Sequence, residues 1–208
     1  DVRNNTDALV FSRIQTGGVW NTEPGAAENL LRFMNKNLNI KASYFTESVV
    51  LGKDDLSNRA FLYLTGITDF QLSDEERRVL RTYVADGGYL FIDNSLGLQT
   101  FDQACRRELA AIFGKDCLER VPADHPVFTA GPFKLDKVRY TVATRARRPH
   151  LDQPLLEGVQ IDDVFRVFYS PLDVAAGWQG DDHPLSYGYQ SADALKLGAD
   201  LVTYFMTH

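Results

Sequence analysis

The segment from residue 73 to 94, SDEERRVLRTYVADGGYLFIDN, constrains the fold of this chain more than any other. Ser73 followed by Glu76 forms the capping box that starts a helix, and Gly87-Gly88 supplies the left-handed residue that ends one. The apolar run that follows is typical of a strand covered on both faces. A helix that leads directly into a buried strand indicates βαβ units and a parallel sheet. The predicted helix has one buried face, formed by Val79, Leu80, Tyr83 and Val84.

The same alternation of strand and helix recurs along the chain. No linker rich in Gly, Ser or Pro divides the 208 residues, and a hydrophobic content of 44% is enough for one sizeable core. We therefore expect a single α/β domain over residues 1–208. It should have three layers, α, β and α, in which the central sheet is mostly parallel. The predicted strands are 8–14, 61–66, 88–94 and 164–170, and the predicted helices outside the first segment are 25–38, 101–114 and 191–206.

Charge and hydropathy exclude some classes of protein. The net charge is −6 and the pI is near 5.2, whereas binding to nucleic-acid phosphates needs a surplus of Lys and Arg. We therefore expect no nucleic-acid partner. No apolar run approaches the ~18–20 residues that cross a bilayer, so no transmembrane segment is predicted. The opening residues also lack the basic and apolar regions of a signal peptide. A mature chain, from which a signal peptide had been removed, would look the same.

The two cysteines, Cys105 and Cys117, do not have the spacing of a metal site. The sequence leaves open whether they pair in a disulfide. Cys105 falls on the apolar face of the predicted helix 101–114, which favours a thiol that packs in the core. We expect neither a metal nor a cofactor.

The sequence FIDNSLG, residues 91–97, has the outline of a nucleophile elbow, the strand-to-helix turn that carries the catalytic residue in many hydrolases. The pattern is Gly-x-Ser-x-Gly, and here Asp93 replaces the first glycine, which would crowd the turn. Ser95 is the candidate nucleophile, and His183 or His125 is the candidate base. A hydrolase is therefore one hypothesis, although the motif is incomplete.

Polar and aromatic residues follow three of the predicted strands. Open α/β sheets bind ligands at the carboxyl ends of their strands, so these loops predict one pocket for a small polar ligand such as a sugar. Aromatic rings can stack on a sugar, and the polar groups can bind its hydroxyls. Each residue also has a structural alternative, as a turn former or a core residue. The candidate ligand contacts are Arg13, Gln15, Trp20, Asp93, Asn94, Ser95, Tyr169, Asp173, Trp178 and His183.

The stretch 134–150 is rich in Lys and Arg in an otherwise acidic chain. Such a run is typical of a solvated hairpin face. It could instead meet an acidic partner or a phosphate.

Three blocks of the sequence resemble a bacterial family of domains of unknown function that is grouped with class I glutamine amidotransferase-like folds. The resemblance implies a flavodoxin-like sheet and an elbow that has lost its cysteine, since Asp93, Asn94 and Ser95 occupy that loop. Glutaminase activity is therefore not expected. The resemblance also implies an exported or membrane-associated protein, and leaves a cytoplasmic location open. The blocks are FSRIQTGGVWNTEPGAAENLLRFMN, FLYLTGITDFQLSDEERRVLRTYVADGGYLFIDNSLG and GVQIDDVFRVFYSPLDVAAGWQGDDHP.

Three hypotheses for function follow from the sequence. The first is an amidotransferase-like domain without a nucleophile cysteine that binds a small polar ligand or a protein partner. The second is a hydrolase that uses Ser95 with His183. The third is a structural interaction domain of a cell-envelope assembly. The sequence does not predict an oligomeric state.

Overall fold

A computed structural model describes residues 9–38, 45–180 and 184–208 of the chain. Within these ranges it contains seven strands and seven α-helices that alternate for much of the chain. The strands are β1 (Val10–Ile14), β2 (Phe45–Val49), β3 (Phe61–Gly66), β4 (Tyr89–Asn94), β5 (Glu119–Arg120), β6 (Glu157–Ile161) and β7 (Val164–Ser170). The helices are α1 (Ala26–Leu38), α2 (Asp74–Ala85), α3 (Gln99–Phe113), α4 (Pro126–Thr129), α5 (Val142–Arg147), α6 (Ala175–Gln179) and α7 (Ser191–Thr207).

The strands form one sheet in the order β2-β1-β3-β4-β7-β6-β5. The first five strands in this order are parallel, while β6 runs antiparallel to β7 and β5 antiparallel to β6. The prediction of an α/β fold with a mostly parallel sheet is confirmed. The two antiparallel strands at the β5 edge were not predicted, because the sequence between 115 and 160 lacks a clear period.

Alternating side chains give the sheet one aromatic and one aliphatic face. In β3, Phe61 and Tyr63 point to one side and Leu62 and Leu64 to the other, because successive strand residues face opposite ways. Strand β4 repeats this pattern. The aromatic face packs against α1, α4, α6 and α7, and the aliphatic face against α2 and α3. Helices therefore cover both faces, which is why β3 and β4 are buried at all six positions each.

The predicted boundaries of α2 are confirmed by its caps. The Ser73 hydroxyl accepts the Glu76 N–H at 3.2 Å, and the Glu76 carboxylate accepts the Ser73 N–H at 2.7 Å. At the other end Gly87 has a φ of 100°, and its N–H donates to the Val84 carbonyl. These caps satisfy backbone groups that the helix leaves unpaired, and they fix the entry into β4.

The basic segment 134–150 is not a hairpin, so that prediction was wrong. It consists of loops and α5, whose first turn is capped by the Thr141 hydroxyl. Two of its cations pair with carboxylates: Lys137 with Asp152 at 3.0 Å and Arg139 with Asp193 at 2.9 Å. These two charges each have a separate partner outside the run, which a count of charges alone cannot show.

Both cysteines are free thiols. Cys105 lies on the buried face of α3, as its position in the predicted helix indicates, and Cys117 is partly buried. Within the described residues, no group of three His, Cys, Asp or Glu side chains could hold a metal ion. In the same part of the chain, every helix is too short or too polar to cross a membrane.

Asp200 is a buried carboxylate on α7. It accepts the N–H of Phe133 at 2.9 Å, and its side chain has no exposure to solvent. Burial raises the pKa of Asp200 to about 6, although hydrogen bonds from the backbone N–H groups of Phe133 and Lys134 lower it in part. The folded state therefore favours the protonated form of this group.

We predict that Asp200 makes the folded state less stable as pH rises. The contribution of Asp200 to the free energy of unfolding is fully present below the unfolded pKa of about 3.9. It is lost as pH rises through about 6, a loss on the order of 2 kcal/mol. Asp200→Asn keeps an oxygen for the Phe133 N–H but does not ionise, so it should remove this loss. Urea unfolding between about pH 4 and pH 7 measures the difference, with Asp74→Asn at a fully exposed side chain as the control. Parallel profiles for wild type and Asp200→Asn would contradict the assignment.

Candidate functional site

The elbow turn, residues 93–97, connects β4 to α3 at the carboxyl end of the parallel strands. Ser95–Gly97 form a single 3-10 turn, and the left-handed residues in it are Leu96 (φ 60°) and Gly97 (φ 65°). In a nucleophile elbow the strained residue is the nucleophile itself, which the turn holds out over the sheet. Here the strained position belongs to Leu96, and Ser95 comes one residue earlier.

Ser95 points into the protein. It has no solvent exposure, and its hydroxyl donates to Oε1 of Glu23 at 2.8 Å. Thr22 donates to the other carboxylate oxygen of Glu23. Burial raises the pKa of Glu23, the Thr22 and Ser95 hydroxyls and Arg13 lower it, and the negative charge of Asp173 raises it further. The hydroxyl of the candidate nucleophile is therefore bonded to a partly buried carboxyl group, Glu23, that the sequence did not indicate.

Neither histidine proposed as the base is shown beside Ser95. The Nδ1 atom of His125 accepts the Val127 N–H at 3.1 Å, and its ring packs against Phe165 at the amino end of β7. That is the opposite end of the strand from the elbow turn. His183 lies outside the described residues.

Asp93 accepts hydrogen bonds from three internal groups. Its carboxylate takes the N–H groups of Val174 at 2.9 Å and Ala175 at 3.2 Å, and the Tyr63 hydroxyl at 3.3 Å. Burial raises the pKa of Asp93 well above its usual range, and the charges of Asp173 and Glu23 add to this, while the two N–H groups lower it. Asp93 therefore fixes the start of α6 against the end of β4.

Asp173 and Asn94 tie the elbow turn to the chain after β7. Asp173 accepts the Leu96 N–H at 2.8 Å, the Ser186 hydroxyl at 2.8 Å and the Ala176 N–H at 3.0 Å. The Asn94 amide bonds the backbone of Leu98 and the carbonyl of Pro171. Both side chains are about 1% exposed. We name the group Glu23, Asp93, Asn94, Ser95 and Asp173 the buried polar network.

Two predicted ligand contacts are core residues in the structure. The Trp178 ring packs among the aromatic face of the sheet, and its Nε1–H donates to the Ala194 carbonyl at 2.8 Å. Tyr169 is fully buried, and its hydroxyl donates to Asp102 at 2.6 Å. Since their polar atoms have internal partners, both residues stabilise the region around the elbow turn.

The loop after β1 carries the partly exposed Trp20, and Arg13 is a buried residue of β1 itself. Arg13 is 8% exposed, donates to the Asn21 side chain and to the Glu23 carbonyl, and lies over the Tyr63 ring at 5.6 Å. The Gln15 amide donates to the Ser48 hydroxyl at 2.8 Å. Partly exposed Trp20 and Arg13 line a cleft of about 240 Å³, which we name the Trp20 cleft. Its other lining residues are Phe11, Asn21, Pro24, Ala27, Thr46, Glu47 and Ser48.

A second cleft, of about 230 Å³, lies beside the elbow turn, and we name it the elbow cleft. Its lining includes Asn94 and Gly97 of the elbow turn, Arg106 of α3, Arg147 and Arg148 at the end of α5, and Tyr187. Three of the predicted contacts line these two clefts: Arg13 and Trp20 line the Trp20 cleft, and Asn94 lines the elbow cleft. The basic residues of the elbow cleft come from the 134–150 run, except Arg106, which lies on α3.

A larger open cleft lies elsewhere. It has a volume of about 550 Å³ and lies between residues 54–60 and the end of α2, beside the amino ends of β3 and β4. Two of its cations already pair with carboxylates: Arg59 with Glu47 and Arg78 with Glu75. Because open α/β sheets bind ligands at the carboxyl ends of their strands, we assign the candidate site to the two smaller clefts.

Residues 10–206 match the family model described as a domain of unknown function, DUF4159, so the chain belongs to this family. No curated protein matches the chain in a sequence comparison.

We predict that Asp93 stabilises the fold. Asp93→Ala leaves the Val174 and Ala175 N–H groups and the Tyr63 hydroxyl without an acceptor, so the free energy of unfolding should fall by roughly 2–4 kcal/mol. Asp74→Ala removes a carboxylate from a fully exposed position and should cost less than about 1 kcal/mol. Chemical denaturation measures both, and equal losses would contradict the role given to Asp93.

We also predict that Ser95 does not react as a nucleophile. A fluorophosphonate probe should leave the folded protein unlabelled, because the Ser95 hydroxyl is buried and bonded to Glu23. Mass spectrometry of the treated protein is the measurement, with an active serine hydrolase in the same sample as the positive control. Labelling that disappears in Ser95→Ala would show that the hydroxyl is accessible and activated.

Proposed function

We propose that residues 1–208 form one amidotransferase-like α/β domain that has no catalytic nucleophile and binds a small polar ligand, a carbohydrate, in the Trp20 cleft. The observation that carries the proposal is the set of groups in this cleft. An accessible indole shares it with a carboxylate, an amide and hydroxyls.

The strand order supports the kinship with amidotransferase-like folds. The parallel part of the sheet, β2-β1-β3-β4-β7, has the 2-1-3-4-5 arrangement of flavodoxin-like sheets, with the fifth place taken by β7. The order reverses between β1 and β3, and ligands bind such sheets near this point. The loop that carries Trp20 follows β1 directly.

The elbow turn supports a domain without catalysis. A cysteine is absent from residues 93–97, and Ser95 donates to Glu23 inside the protein. The turn keeps its place between β4 and α3, but its polar groups bond to the backbone and to each other. A reaction there would require these hydrogen bonds to break first.

Glu47 supports the choice of ligand. Its Oε1 atom accepts the Ser12 hydroxyl at 2.8 Å and the Arg59 Nε–H at 2.7 Å, and these contacts hold the side chain in place. No donor among the described residues reaches Oε2, so this oxygen is available to a hydroxyl of the ligand. A fixed acceptor beside an accessible aromatic ring suits a sugar, which offers an apolar face and hydroxyl donors.

Titration calorimetry with a panel of neutral mono- and disaccharides tests the proposal. We expect saturable binding of at least one sugar, weakened about tenfold in Trp20→Ala because the stacking surface is lost. Trp20→Phe keeps a flat ring and should retain part of the affinity. The control is Val19→Ala, an exposed neighbour outside the cleft lining, which should bind as wild type does.

Two outcomes would overturn the proposal. One is a panel in which no sugar binds saturably. The other is a sugar whose affinity is the same in wild type and Trp20→Ala, since binding would then lie outside the Trp20 cleft.

A further inference from the structure

The elbow cleft is lined by more positively than negatively charged side chains. Its lining has three arginines, Arg106, Arg147 and Arg148, and two carboxylates, Asp102 and Glu157. A cleft of this composition, in a chain with a net charge of −6, concentrates positive charge at one place on an acidic protein.

Both carboxylates are engaged by the same arginine. Arg106 bonds Glu157 in a two-pronged contact at 2.7 and 3.1 Å and donates to Asp102 at 3.1 Å. Asp102 also accepts the Tyr169 hydroxyl at 2.6 Å. These contacts pair Arg106 with both acids, and the three groups together carry one negative charge, so the two positive charges of Arg147 and Arg148 make the lining positive by one charge.

Arg147 and Arg148 are left without such a partner. In the parts of the chain that the structure describes, no carboxylate lies within ion-pair distance of either guanidinium. Among the described residues the two cations therefore have no acidic partner, unlike Lys137 and Arg139 earlier in the same basic run.

The position of Arg147 is set by an aromatic ring. Its guanidinium carbon lies 3.7 Å from the centre of the Tyr187 ring, a cation–π contact that holds the charged group beside the cleft. The Tyr187 N–H donates to the Leu96 carbonyl at 3.1 Å, so the ring is tied to the elbow turn.

Gly97 makes this arrangement possible. A Cβ atom at position 97 would lie 2.6 Å from the Tyr187 carbonyl oxygen and 2.7 Å from its Cβ, and the φ of 65° also favours glycine. The elbow turn, Tyr187 and Arg147 are thus joined in one rigid wall.

We propose that the elbow cleft is a binding site for an oxyanion group, a phosphate, sulfate or carboxylate of a small molecule, held by Arg147 and Arg148. A guanidinium presents parallel N–H donors that match the oxygens of such a group. The volume of about 230 Å³ accommodates the charged group with a small attached moiety. This site is separate from the Trp20 cleft and does not depend on the carbohydrate proposal.

Titration of the full chain with inorganic phosphate, sulfate and acetate at constant ionic strength tests the site, with amide chemical shifts as the readout. We expect saturable shifts at Gly97 and Tyr187 for at least one of these ions. Comparison of the three ions shows whether tetrahedral or planar oxyanions are preferred. Each of Arg147→Gln and Arg148→Gln should weaken binding about tenfold, since each removes charge-assisted hydrogen bonds.

Arg145→Gln is the matched control. Arg145 lies on the same helix, α5, and is exposed but does not line the cleft, so its loss should leave the affinity unchanged. Arg147→Lys keeps the charge but loses the planar fork, and we expect it to bind more weakly than wild type. Trp20→Ala should bind the ions as wild type does.

Three results would overturn the proposal. They are shifts that do not saturate for any of the three ions, affinities unchanged in both Arg147→Gln and Arg148→Gln, and an equal loss in Arg145→Gln. The last result would mean that the general positive field of α5, and not the cleft, attracts the anion. Because all three arginines are exposed, these variants should fold, and the far-ultraviolet circular dichroism of each confirms it.

Discussion

Two buried aspartates hold together the carboxyl end of the sheet. Asp93 accepts backbone N–H groups at the start of α6, and Asp173 accepts the N–H of Leu96 in the elbow turn and the hydroxyl of Ser186. Burial of carboxyl groups is costly unless donors surround them. Here the donors come from four separate parts of the chain, Tyr63, Leu96, 174–176 and Ser186, so each aspartate fixes the relative positions of segments distant in sequence.

This constraint explains why the elbow turn does not present a nucleophile. Leu96 holds the left-handed position, and its N–H and carbonyl groups bond to Asp173 and Tyr187. Ser95 then faces inward toward Glu23. The turn retains the strand-to-helix geometry of an elbow, but it serves as a structural joint. The side chains that a ligand could reach lie in the two clefts: Trp20 in one, and Arg147 and Arg148 in the other.

Local signals in the sequence were enough to predict the central elements. The capping box at Ser73 and the glycines after α2 act through neighbouring residues, so their effect can be read without the rest of the chain. Strand β5 was missed because it has only two residues and pairs with β6, which is distant in sequence, and β6 was missed because its residues show no clear period. The hairpin predicted at 134–150 was wrong because the segment forms loops and α5, and charge alone does not distinguish a basic helix from a basic strand.

The candidate site was predicted in part. The sequence identified polar residues after three strands, and the structure places Asp93, Ser95 and Asp173 in one network. It could not show that these groups face backbone N–H groups, because that depends on where α6 packs. Glu23 lies in a segment typical of a turn before a helix, and nothing in that pattern marks it as a partner of Ser95. Glu47 and Arg147 likewise could not be identified from the sequence, because the residues that position them come close only in the folded protein.

Hydrogen exchange at the amides that the two aspartates accept tests the central claim most directly. These amides belong to Leu96, Val174, Ala175 and Ala176. If the elbow turn is a closed joint, they should exchange only through openings whose free energy approaches that of global unfolding. Exchange as fast as that of an unprotected loop would contradict the account, because the turn would then open readily and Ser95 would become accessible.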